Sequence, residues 1–470
     1  MTITKIAEPR ETTASDRPYQ TGWAGDGELG LALESAGYVE EEIVVEGTAA
    51  TFVYDDDFHR QPAEQDVPYV TRVLVRRPAD PSKASGLVCF EPLHPGMDAD
   101  LTWRSVHPWI AREGHVWVGA TVTPRWAEKL AASGEWNGRY ERLSIPAMGL
   151  QWQITADVLT VLRGEGLTPA LSGSAVSRLI MSGWSMTGTF CRVFLRDGFH
   201  EDARTPDGSP AVDGYLIAIS SGGFLEGGYQ PLSDGCMVLP REDARRTISN
   251  HGVPVIELLS EGESETHASV LREDSDHPGD PYRLYEIAGA CHGSVSTKTG
   301  WPGDAQADRM GIARGARIRE MPSTFPIEHV ARAAFAHLDR WITDGIEPPR
   351  APRLRFGEGN IKGGWPECVP LERDELGNAV GGVRSTHVDV PIATYVPHST
   401  IESVAGTAHP GGDLYGHMVP FSAERLRALY GKPEEYRRRV ERRSAEILHQ
   451  GWLLAPERDA VVAAAETVSF

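Results

Sequence analysis

The chain has 470 residues, of which 40% are hydrophobic and 24% charged, a composition typical of a soluble globular protein with a large buried core. Lysine and arginine number 46 against 66 aspartates and glutamates, which gives a net charge of −20 at pH 7. This acidic balance disfavours nucleic acids and anionic membranes as partners, because both are bound through basic patches.

The first 84 residues predict an arm followed by a small β region. Residues 1–36 are polar and rich in glycine, which indicates a flexible N-terminal arm. Residues 37–84 contain segments that alternate apolar and polar side chains, which indicates an N-terminal β extension. Its expected strands, of which the first two are separated by a turn at Gly47, cover 42–49, 51–54 and 69–78.

Residues 85–345 predict the main fold, an α/β core. Apolar runs without alternation are typical of strands that are buried on both faces, as in a parallel sheet. Such runs lie at 86–90, 115–122, 179–181, 214–219, 253–259 and 282–288. Helix-length segments with an apolar face lie at 107–113, 150–163 and 327–343. Strands that alternate with helices in this way indicate a mostly parallel, doubly wound sheet with right-handed crossovers.

Two long inserts interrupt the predicted core. Residues 124–148 carry two tryptophans, and residues 222–250 are rich in glycine and irregular. Inserts above the carboxyl ends of the strands often form lids and substrate walls. We expect the same of these two inserts.

Residues 346–470 predict a C-terminal segment that packs on the core. Residues 348–397 are loop-rich, with a short strand-like alternation at Val388, Val390 and Ile392. A helical tail is expected at 423–454. The arginines of this tail alternate with glutamates and have no interleaved aromatic residues, so they predict a solvated helix face rather than a nucleic-acid site.

A strand, a sharp turn and a helix are predicted in succession between Arg178 and Leu195. The turn carries a serine. This is the layout of a nucleophile elbow, in which a strained turn lifts the serine oxygen clear of the sheet and beside a helix N-terminus. The motif is G-x-S-x-T-G, formed by Gly183, Ser185, Thr187 and Gly188.

The G-x-S pattern alone is weak, because the chain has 49 glycines. A second occurrence lies at Gly262 and Ser264, after another apolar run. The segment 263–276 is charged and irregular, whereas a helical pattern follows Ser185. Ser185 is therefore the predicted nucleophile, with an ordinary buried turn serine as the alternative.

A serine hydroxyl is a weak nucleophile until a base takes its proton, and this base is usually an imidazole oriented by a carboxylate. In sheets that carry such an elbow, the acid follows the penultimate core strand and the histidine follows the last. Strand 282–288 is followed by His292 between small residues. This position predicts His292 as the general base.

The orienting acid is expected just after strand 253–259. Glu261 is favoured because it lies closer to the strand end. Glu263 fits an alternative turn length and stays open as the second choice. Asp274 and Asp276 are more distant choices.

The oxyanion formed during attack needs two preset backbone N–H groups. One is expected from Met186, directly after the nucleophile. The other is expected from the loop after 86–90, where Pro92 has no N–H, so that Leu93 or His94 must supply it. The alternatives for His94 are a substrate contact and a plain turn residue.

No cofactor or metal is expected. The chain lacks a G-x-G-x-x-G after a strand, a Walker A loop and an H-E-x-x-H motif. His107 and His115 are eight residues apart with no carboxylate at ligand spacing, which disfavours zinc.

The cysteines and the N-terminus predict a cytoplasmic protein. The five cysteines are widely spaced and form no C-x-x-C pair, which disfavours a disulfide framework and fits reduced thiols. Residues 1–10 lack the apolar segment of a signal peptide, and no apolar run approaches the roughly 20 residues that span a bilayer.

Several motifs resemble a largely uncharacterised group of bacterial and fungal α/β hydrolase domain proteins of esterase type. The resemblance covers about residues 37–465. The motifs that carry it lie at 68–78, 183–188, 285–292, 373–384 and 388–395. The last two contain none of the predicted catalytic residues and so support the resemblance to the family independently.

The resemblance implies an α/β-hydrolase fold with Ser185 as nucleophile and His292 as base. It also supports Glu261 as the acid, because the family's motif there resembles Ser/Thr-Glu-x-Asp/Glu. The chain departs from the family at Met186, where glutamine is usual. The backbone N–H survives this change, whereas side-chain contacts and substrate choice should differ.

Together these patterns predict a hydrolase that cleaves a small-molecule carboxylic ester or lactone through an acyl-enzyme on Ser185. The rival hypotheses are an acyltransferase that uses the same triad and a non-catalytic binding protein on the same fold. Four tryptophans near predicted strand ends suggest an apolar substrate pocket, with simple core packing as the alternative: Trp103, Trp126, Trp136 and Trp184.

Overall fold

The computed structural model describes residues 3–23, 33–164, 166–171, 175–220, 232–233, 239, 243–267, 271–293, 309–310, 316–359, 369–403 and 416–470. The chain divides into two compact units. The first comprises Met1–Val255, Pro278–Asp280 and Gly300–Ala313. The second comprises Ile256–His277, Pro281–Thr299 and Arg314–Phe470.

A mixed sheet organises the first unit. The strands of this unit are β1 (Ile3–Ile6), β2 (Arg10–Glu11), β3 (Tyr38–Ala49), β4 (Phe52–Tyr54), β5 (Arg60–Pro62), β6 (Val67–Pro78), β7 (Leu87–Pro92), β8 (Val116–Ala120), β9 (Arg178–Trp184) and β10 (Gly214–Ala218). Their order in the sheet is β1-β3-β6-β8-β7-β9-β10, with β2 also on β3 and with β4 and β5 as a separate hairpin.

The sheet changes from antiparallel to parallel at β8. Strands β1, β3, β6 and β8 pair in antiparallel fashion, whereas β8, β7, β9 and β10 pair in parallel. All residues of β7, β8 and β10 are buried. The apolar runs therefore predicted the parallel strands correctly, because a strand covered on both faces has no polar side to alternate with.

Five helices accompany this sheet within the described part of the first unit: α1 (Leu101–Glu113), α2 (Pro124–Ala132), α3 (Leu150–Arg163), α4 (Met186–Arg196) and α5 (Phe199–Asp202). The predicted helix 150–163 is confirmed. Helix α1 begins six residues before the predicted start at 107, and it buries Trp103 and Val106 in those extra turns. The insert 124–148 holds α2, whereas most of the insert 222–250 lies outside the described residues.

Residues 3–23 are structured, although their composition predicts a flexible arm. Strands β1 and β2 pair with β3, and Tyr19 is fully buried. Two buried arginines of β6 bind the arm's backbone: Arg72 donates to the carbonyl oxygen of Tyr19 at 3.0 Å, and Arg76 to that of Gln20 at 2.5 Å. The carboxylates that neutralise these arginines are Glu40, Glu42, Asp98 and Asp100.

The turn predicted at Gly47 is wrong. Strand β3 continues through Gly47, which pairs with Tyr69 of β6, and ends at Ala49. The antiparallel ladder with β6 keeps this glycine extended, so the chain bends only between β3 and β4.

The second unit contains short strand pairs and most of the C-terminal helices. Its strands are β11 (Val255–Leu259), β12 (Tyr282–Glu286), β13 (Ala316–Ile318), β14 (Ala393–Val396), β15 (Ile401–Ser403) and β16 (His417–Pro420). The first residue of β11, Val255, still belongs to the first unit. Strands β11 and β12 are neighbours, and β13 with β15 and β14 with β16 form antiparallel pairs. The alternation at 388–392 is not a strand, because β14 begins only at Ala393.

The described helices of the second unit are α6 (Glu261–His267), α7 (Ile327–Asp344), α8 (Thr386–Asp389), α9 (Ala423–Tyr430), α10 (Pro433–Gln450) and α11 (Ala455–Glu466). Helix α7 confirms the helix predicted at 327–343 and ends at Gly345, whose φ is 66°. The single helical tail predicted at 423–454 is instead two helices. Gly431 in the left-handed region ends α9, and Pro433 begins α10.

An apolar cluster packs the C-terminal helices together: Val390, Phe421, Leu426, Tyr430, Tyr436, Val440, Val461 and Ala465. On the outer face of α10, Arg438 and Arg439 each pair with Glu435 at 2.8 Å, as the prediction of a solvated ionic face requires. The predicted domain ranges 37–84, 85–345 and 346–470 stay predictions.

Candidate active site

Ser185 occupies a strained turn between β9 and α4. Its φ is 60° and its ψ −122°, a backbone conformation that a residue with a side chain rarely adopts. Its N–H donates to the carbonyl oxygen of Ala218 at the end of β10, at 2.9 Å. Such a conformation costs about 1–3 kcal/mol and persists only where the surroundings enforce it. The strand, the strained serine and the helix follow one another in the layout predicted for a nucleophile elbow.

The two glycines of the motif are required by close approach. A Cβ atom on Gly183 would lie 2.0 Å from the carbonyl oxygen of Thr187. A Cβ atom on Gly188 would lie 2.7 Å from the Cβ atom of Ser220 and 2.9 Å from the carbonyl oxygen of Ala218. The elbow therefore needs its second glycine at position 188, whereas the strict G-x-S-x-G pattern would place it at position 187.

Thr187, which stands where that strict pattern has glycine, closes the turn by hydrogen bonds. Its hydroxyl accepts the N–H of Trp184 at 2.8 Å and donates to the carbonyl oxygen of Trp184 at 2.9 Å. Met186 is the first residue of α4, so its N–H is one of those that an α-helix leaves without an intrahelical acceptor. This position suits the predicted role of Met186 as an oxyanion donor.

The second predicted oxyanion donor is not supplied by Leu93 or His94 in this structure. The N–H of Leu93 donates to the carbonyl oxygen of Ala120 at 2.8 Å, and the N–H of His94 donates to that of Ala99 at 2.9 Å. The side chain of His94 accepts the N–H of Gly96 at 3.0 Å through Nδ1. His94 was predicted as an oxyanion donor, a substrate contact or a plain turn residue, and these hydrogen bonds fit the turn residue.

His292 has a carboxylate partner, and it is Glu263. Nδ1 of His292 lies 2.6 Å from Oε1 of Glu263. The carboxylate also accepts the N–H of Ser260 at 3.3 Å and the hydroxyl of Ser260. Glu263 is almost fully buried, whereas the imidazole keeps 18% of its surface exposed. An imidazole held through Nδ1 presents Nε2 as the proton acceptor.

Glu261, the favoured acid, is engaged elsewhere. Its carboxylate accepts the N–H of Gly289 at 2.5 Å and pairs with Arg373 at 2.5 Å. Burial raises the pKa of Glu261, and the Arg373 guanidinium opposes this rise. The prediction of Glu261 as the partner of the imidazole is therefore corrected to Glu263. Helix α6 begins at Glu261 itself, and the side chain that contacts the imidazole belongs to the residue two positions into the helix.

The remaining acid and serine candidates have structural roles. Asp274 accepts the N–H of Leu284 at 3.0 Å and pairs with Arg353 at 2.8 Å. Asp276 pairs with Arg283 at 2.5 Å. The rival serine of the second G-x-S pattern, Ser264, is fully buried within α6.

The predicted tryptophan pocket is not supported for three of its members. Trp103, Trp126 and Trp184 are 1–2% exposed and belong to the core. Trp126 stacks on Tyr19 with ring centroids 5.4 Å apart. Trp136 is half-buried and packs edge-on against the same tyrosine.

The described residues offer neither a cluster of metal ligands nor a helix suited to crossing a membrane. Over the described ranges, no three His, Cys, Asp or Glu side chains lie together in a way that could hold a metal ion. His115 bonds the hydroxyl of Ser85 through Nδ1 at 2.6 Å, and His107 Nδ1 lies 3.0 Å from the carbonyl oxygen of Trp103. Among the described helices, none combines the length and the apolar character that a bilayer crossing needs.

Sequence reasoning missed Glu91, the penultimate residue of β7. Its carboxylate accepts the N–H groups of Thr102 and Trp103 at the start of α1 and the indole N–H of Trp117. Burial raises the pKa of Glu91 to about 7. A glutamate in an otherwise apolar strand was the available signal.

Comparison with known proteins identifies the family. A model described as "Alpha/beta hydrolase domain" matches residues 6–463. No curated protein matches the sequence.

Similar solved structures include two esterases and a third protein, Est1E. A thermostable esterase from Pseudomonas putida is 15% identical over 52% of this chain and 72% of that chain, with a TM-score of 0.30. An esterase from Rhizomucor miehei is 12% identical over 57% and 81%, with a TM-score of 0.28. Est1E from Butyrivibrio proteoclasticus is 10% identical over 51% and 88%, also with a TM-score of 0.28. Likeness at this level adds nothing about the site.

Proposed function

We propose that this chain, which belongs to the alpha/beta hydrolase domain family, hydrolyses a small-molecule carboxylic ester or lactone through an acyl-enzyme on Ser185. The observation that carries the proposal is the strained backbone of Ser185 at the junction of β9 and α4. A serine that served packing alone would gain nothing from a φ of 60°. In a nucleophile elbow, this conformation exposes the hydroxyl beside a helix N-terminus.

His292 is the proposed general base, and Glu263 is the proposed orienting acid. The bond of Glu263 to Nδ1 fixes the tautomer in which Nε2 accepts a proton, and it stabilises the imidazolium that forms during the reaction. Ser185 belongs to the first unit, and His292 and Glu263 belong to the second. The proposal therefore requires Nε2 of His292 to reach the hydroxyl of Ser185 in the acting enzyme.

The chemistry follows from these roles. As Oγ of Ser185 bonds to the carbonyl carbon, Nε2 of His292 takes the hydroxyl proton, and the carbonyl oxygen becomes an oxyanion near the Met186 N–H. Collapse of this intermediate breaks the ester C–O bond, and the leaving alcohol oxygen takes the proton from the imidazolium. Water then attacks the acyl carbon while His292 takes its proton. Finally, the bond between the acyl carbon and Oγ of Ser185 breaks, Oγ takes the proton from the His292 imidazolium, and the carboxylic acid leaves.

Labelling with a fluorophosphonate probe tests the nucleophile. The wild type should be labelled, and Ser185→Ala should not. Ser264→Ala is the matched control, because it removes the serine of the rival G-x-S pattern, and it should keep the label. Equal labelling of the wild type and Ser185→Ala would refute the assignment.

Turnover tests the substrate class. A panel of p-nitrophenyl esters, lactones and bulky aromatic esters should include substrates that the wild type cleaves and Ser185→Ala does not. If added alcohols become acylated in preference to hydrolysis, the chain is an acyltransferase. No labelling and no turnover would favour a binding protein.

A reducing, cytoplasmic location is part of the proposal. The three cysteines within the described residues, Cys89, Cys191 and Cys291, are buried and form no disulfide. Buried free thiols persist most readily where disulfides are kept reduced. Cell fractionation that finds the protein outside the cytoplasm would contradict this part.

A further inference from the structure

Helix α6 carries three glutamates at alternate positions, and all of them are buried. Glu261, Glu263 and Glu265 are each 3% exposed or less. Three buried carboxylates on one short helix are unfavourable unless each is paired or hydrogen-bonded. The groups that bind these three carboxylates therefore determine the orientation of the glutamate side chains.

Arg373 links two of the three. Its Nη1 lies 2.5 Å from Oε2 of Glu261, and its Nη2 lies 3.7 Å from Oε1 of Glu265. Residues 261 and 265 are four apart and share a helix face. Glu265 also bonds Nε2 of His398 at 2.6 Å. Arg373 and His398 thus occupy the two carboxylates that do not touch His292.

Glu261 continues the connection to the loop that carries His292. Its second carboxylate oxygen accepts the N–H of Gly289, and its own N–H donates to the carbonyl oxygen of Ala290 at 3.1 Å. Gly289 has a φ of 86°, and a Cβ atom there would lie 2.7 Å from the Phe325 ring. The loop is therefore held tightly three residues before the imidazole.

We propose that Arg373 is a positioning residue for the reaction: through Glu261 it holds the Gly289 loop so that His292 stays aligned on Glu263. This inference rests on the function proposed above. The side chain of Arg373 is 30% exposed and pairs with Glu261 and Glu265, so it acts on the loop through these two carboxylates. The planar guanidinium presents separate N–H groups to the two carboxylates in a fixed geometry that the compact ammonium of lysine does not reproduce.

The experiment compares four variants: Arg373→Met, Arg373→Lys, Glu261→Gln and the double variant Arg373→Met/Glu261→Gln. Turnover is expressed per active site, counted with the fluorophosphonate, so that misfolded protein does not contribute. Arg373→Met should lower kcat by about tenfold with KM little changed, because a misaligned base affects the chemical step. Arg373→Lys should recover part of this loss.

The pH profile separates positioning from a merely structural role. The ionisable groups that face Glu261 include Arg373, Glu265 and the Cys291 thiol. Without the guanidinium, the pKa of the buried Glu261 should rise further, so the profile of Arg373→Met should contain an ionisation that the wild type lacks. Glu261→Gln in the double variant should abolish that ionisation. Glutamine keeps the shape and one acceptor, so this variant should fold.

Two results would overturn the inference. One is an Arg373→Met variant with the kcat and pH profile of the wild type. The other is an added ionisation that persists in the double variant. A wild type that is neither labelled nor active would instead remove the proposed function itself, and the inference with it.

Discussion

Oε1 of Glu263 lies 2.6 Å from Nδ1 of His292, while the Glu261 carboxylate two residues earlier bonds the Gly289 N–H and Arg373. The two carboxylates thus have different tasks on the same helix turn. One contacts the imidazole, and the other holds the loop that carries it.

Glu263→Gln should therefore impair catalysis far more than Glu261→Gln. An amide in place of the carboxylate no longer enforces the reactive tautomer, so kcat should fall by about 10³- to 10⁴-fold. Glu261→Gln should cost about tenfold or less, because the imidazole keeps its partner. Steady-state kinetics on the best ester of the panel measures both values, and the reverse order would restore Glu261 as the orienting acid.

Ser185→Gly should stabilise the protein while abolishing activity. Glycine adopts a φ of 60° without strain, which recovers about 1–3 kcal/mol and loses about 0.5–1 kcal/mol of chain entropy. Ser185→Ala is the matched control, because it removes the hydroxyl but keeps Cβ and hence the strain. Urea denaturation should give a higher midpoint for glycine than for alanine. Equal midpoints would mean that the turn stores no strain.

Gly183→Ala should disrupt the elbow. Its new Cβ atom would lie 2.0 Å from the carbonyl oxygen of Thr187, which is backbone and can move only with α4. We expect loss of labelling and a destabilisation of about 3 kcal/mol or more. At Gly357, the nearest atom to an added Cβ is 3.5 Å away, so Gly357→Ala serves as the control with near-wild-type labelling. Full labelling of Gly183→Ala would argue against the turn described above.

Glu91 should make stability depend on pH. Burial raises its pKa from 4.5 to about 7, so the folded state binds a proton that the unfolded state has already released in this range. The resulting stabilisation is fully present below about pH 4.5 and is lost as pH rises toward 7, by about 3 kcal/mol. Glu91→Gln should remove this component. Denaturation of both proteins at pH 5 and pH 8 gives their free energies of unfolding. The same change in free energy between the two pH values for the wild type and Glu91→Gln would contradict the prediction.

The sequence predicted much of the fold because burial leaves a direct pattern. Strands β7, β8 and β10 are buried along their whole length and largely apolar, since both of their faces are covered, and α3 and α7 have the expected apolar spacing. The elbow was also predictable, because its sterically required glycines stand close together in the chain.

What could not be predicted depends on local geometry and on distant partners. The choice between Glu261 and Glu263 turns on where β11 stops and α6 starts, which no periodicity specifies to one residue. The N–H groups of Leu93 and His94 are used by Ala120 and Ala99, and only the folded loop reveals this. The N-terminal residues seemed a loose arm because Arg72 and Arg76, which bind them, lie about 50 residues further along the chain.

The most direct test of the central claim is a crystal structure of the protein after reaction with a fluorophosphonate. We predict the phosphonyl group on Oγ of Ser185, with Nε2 of His292 within about 3 Å of that oxygen and Nδ1 still on Glu263. A structure in which the adduct lies on another residue, or in which the imidazole of His292 points away from Ser185, would contradict the account.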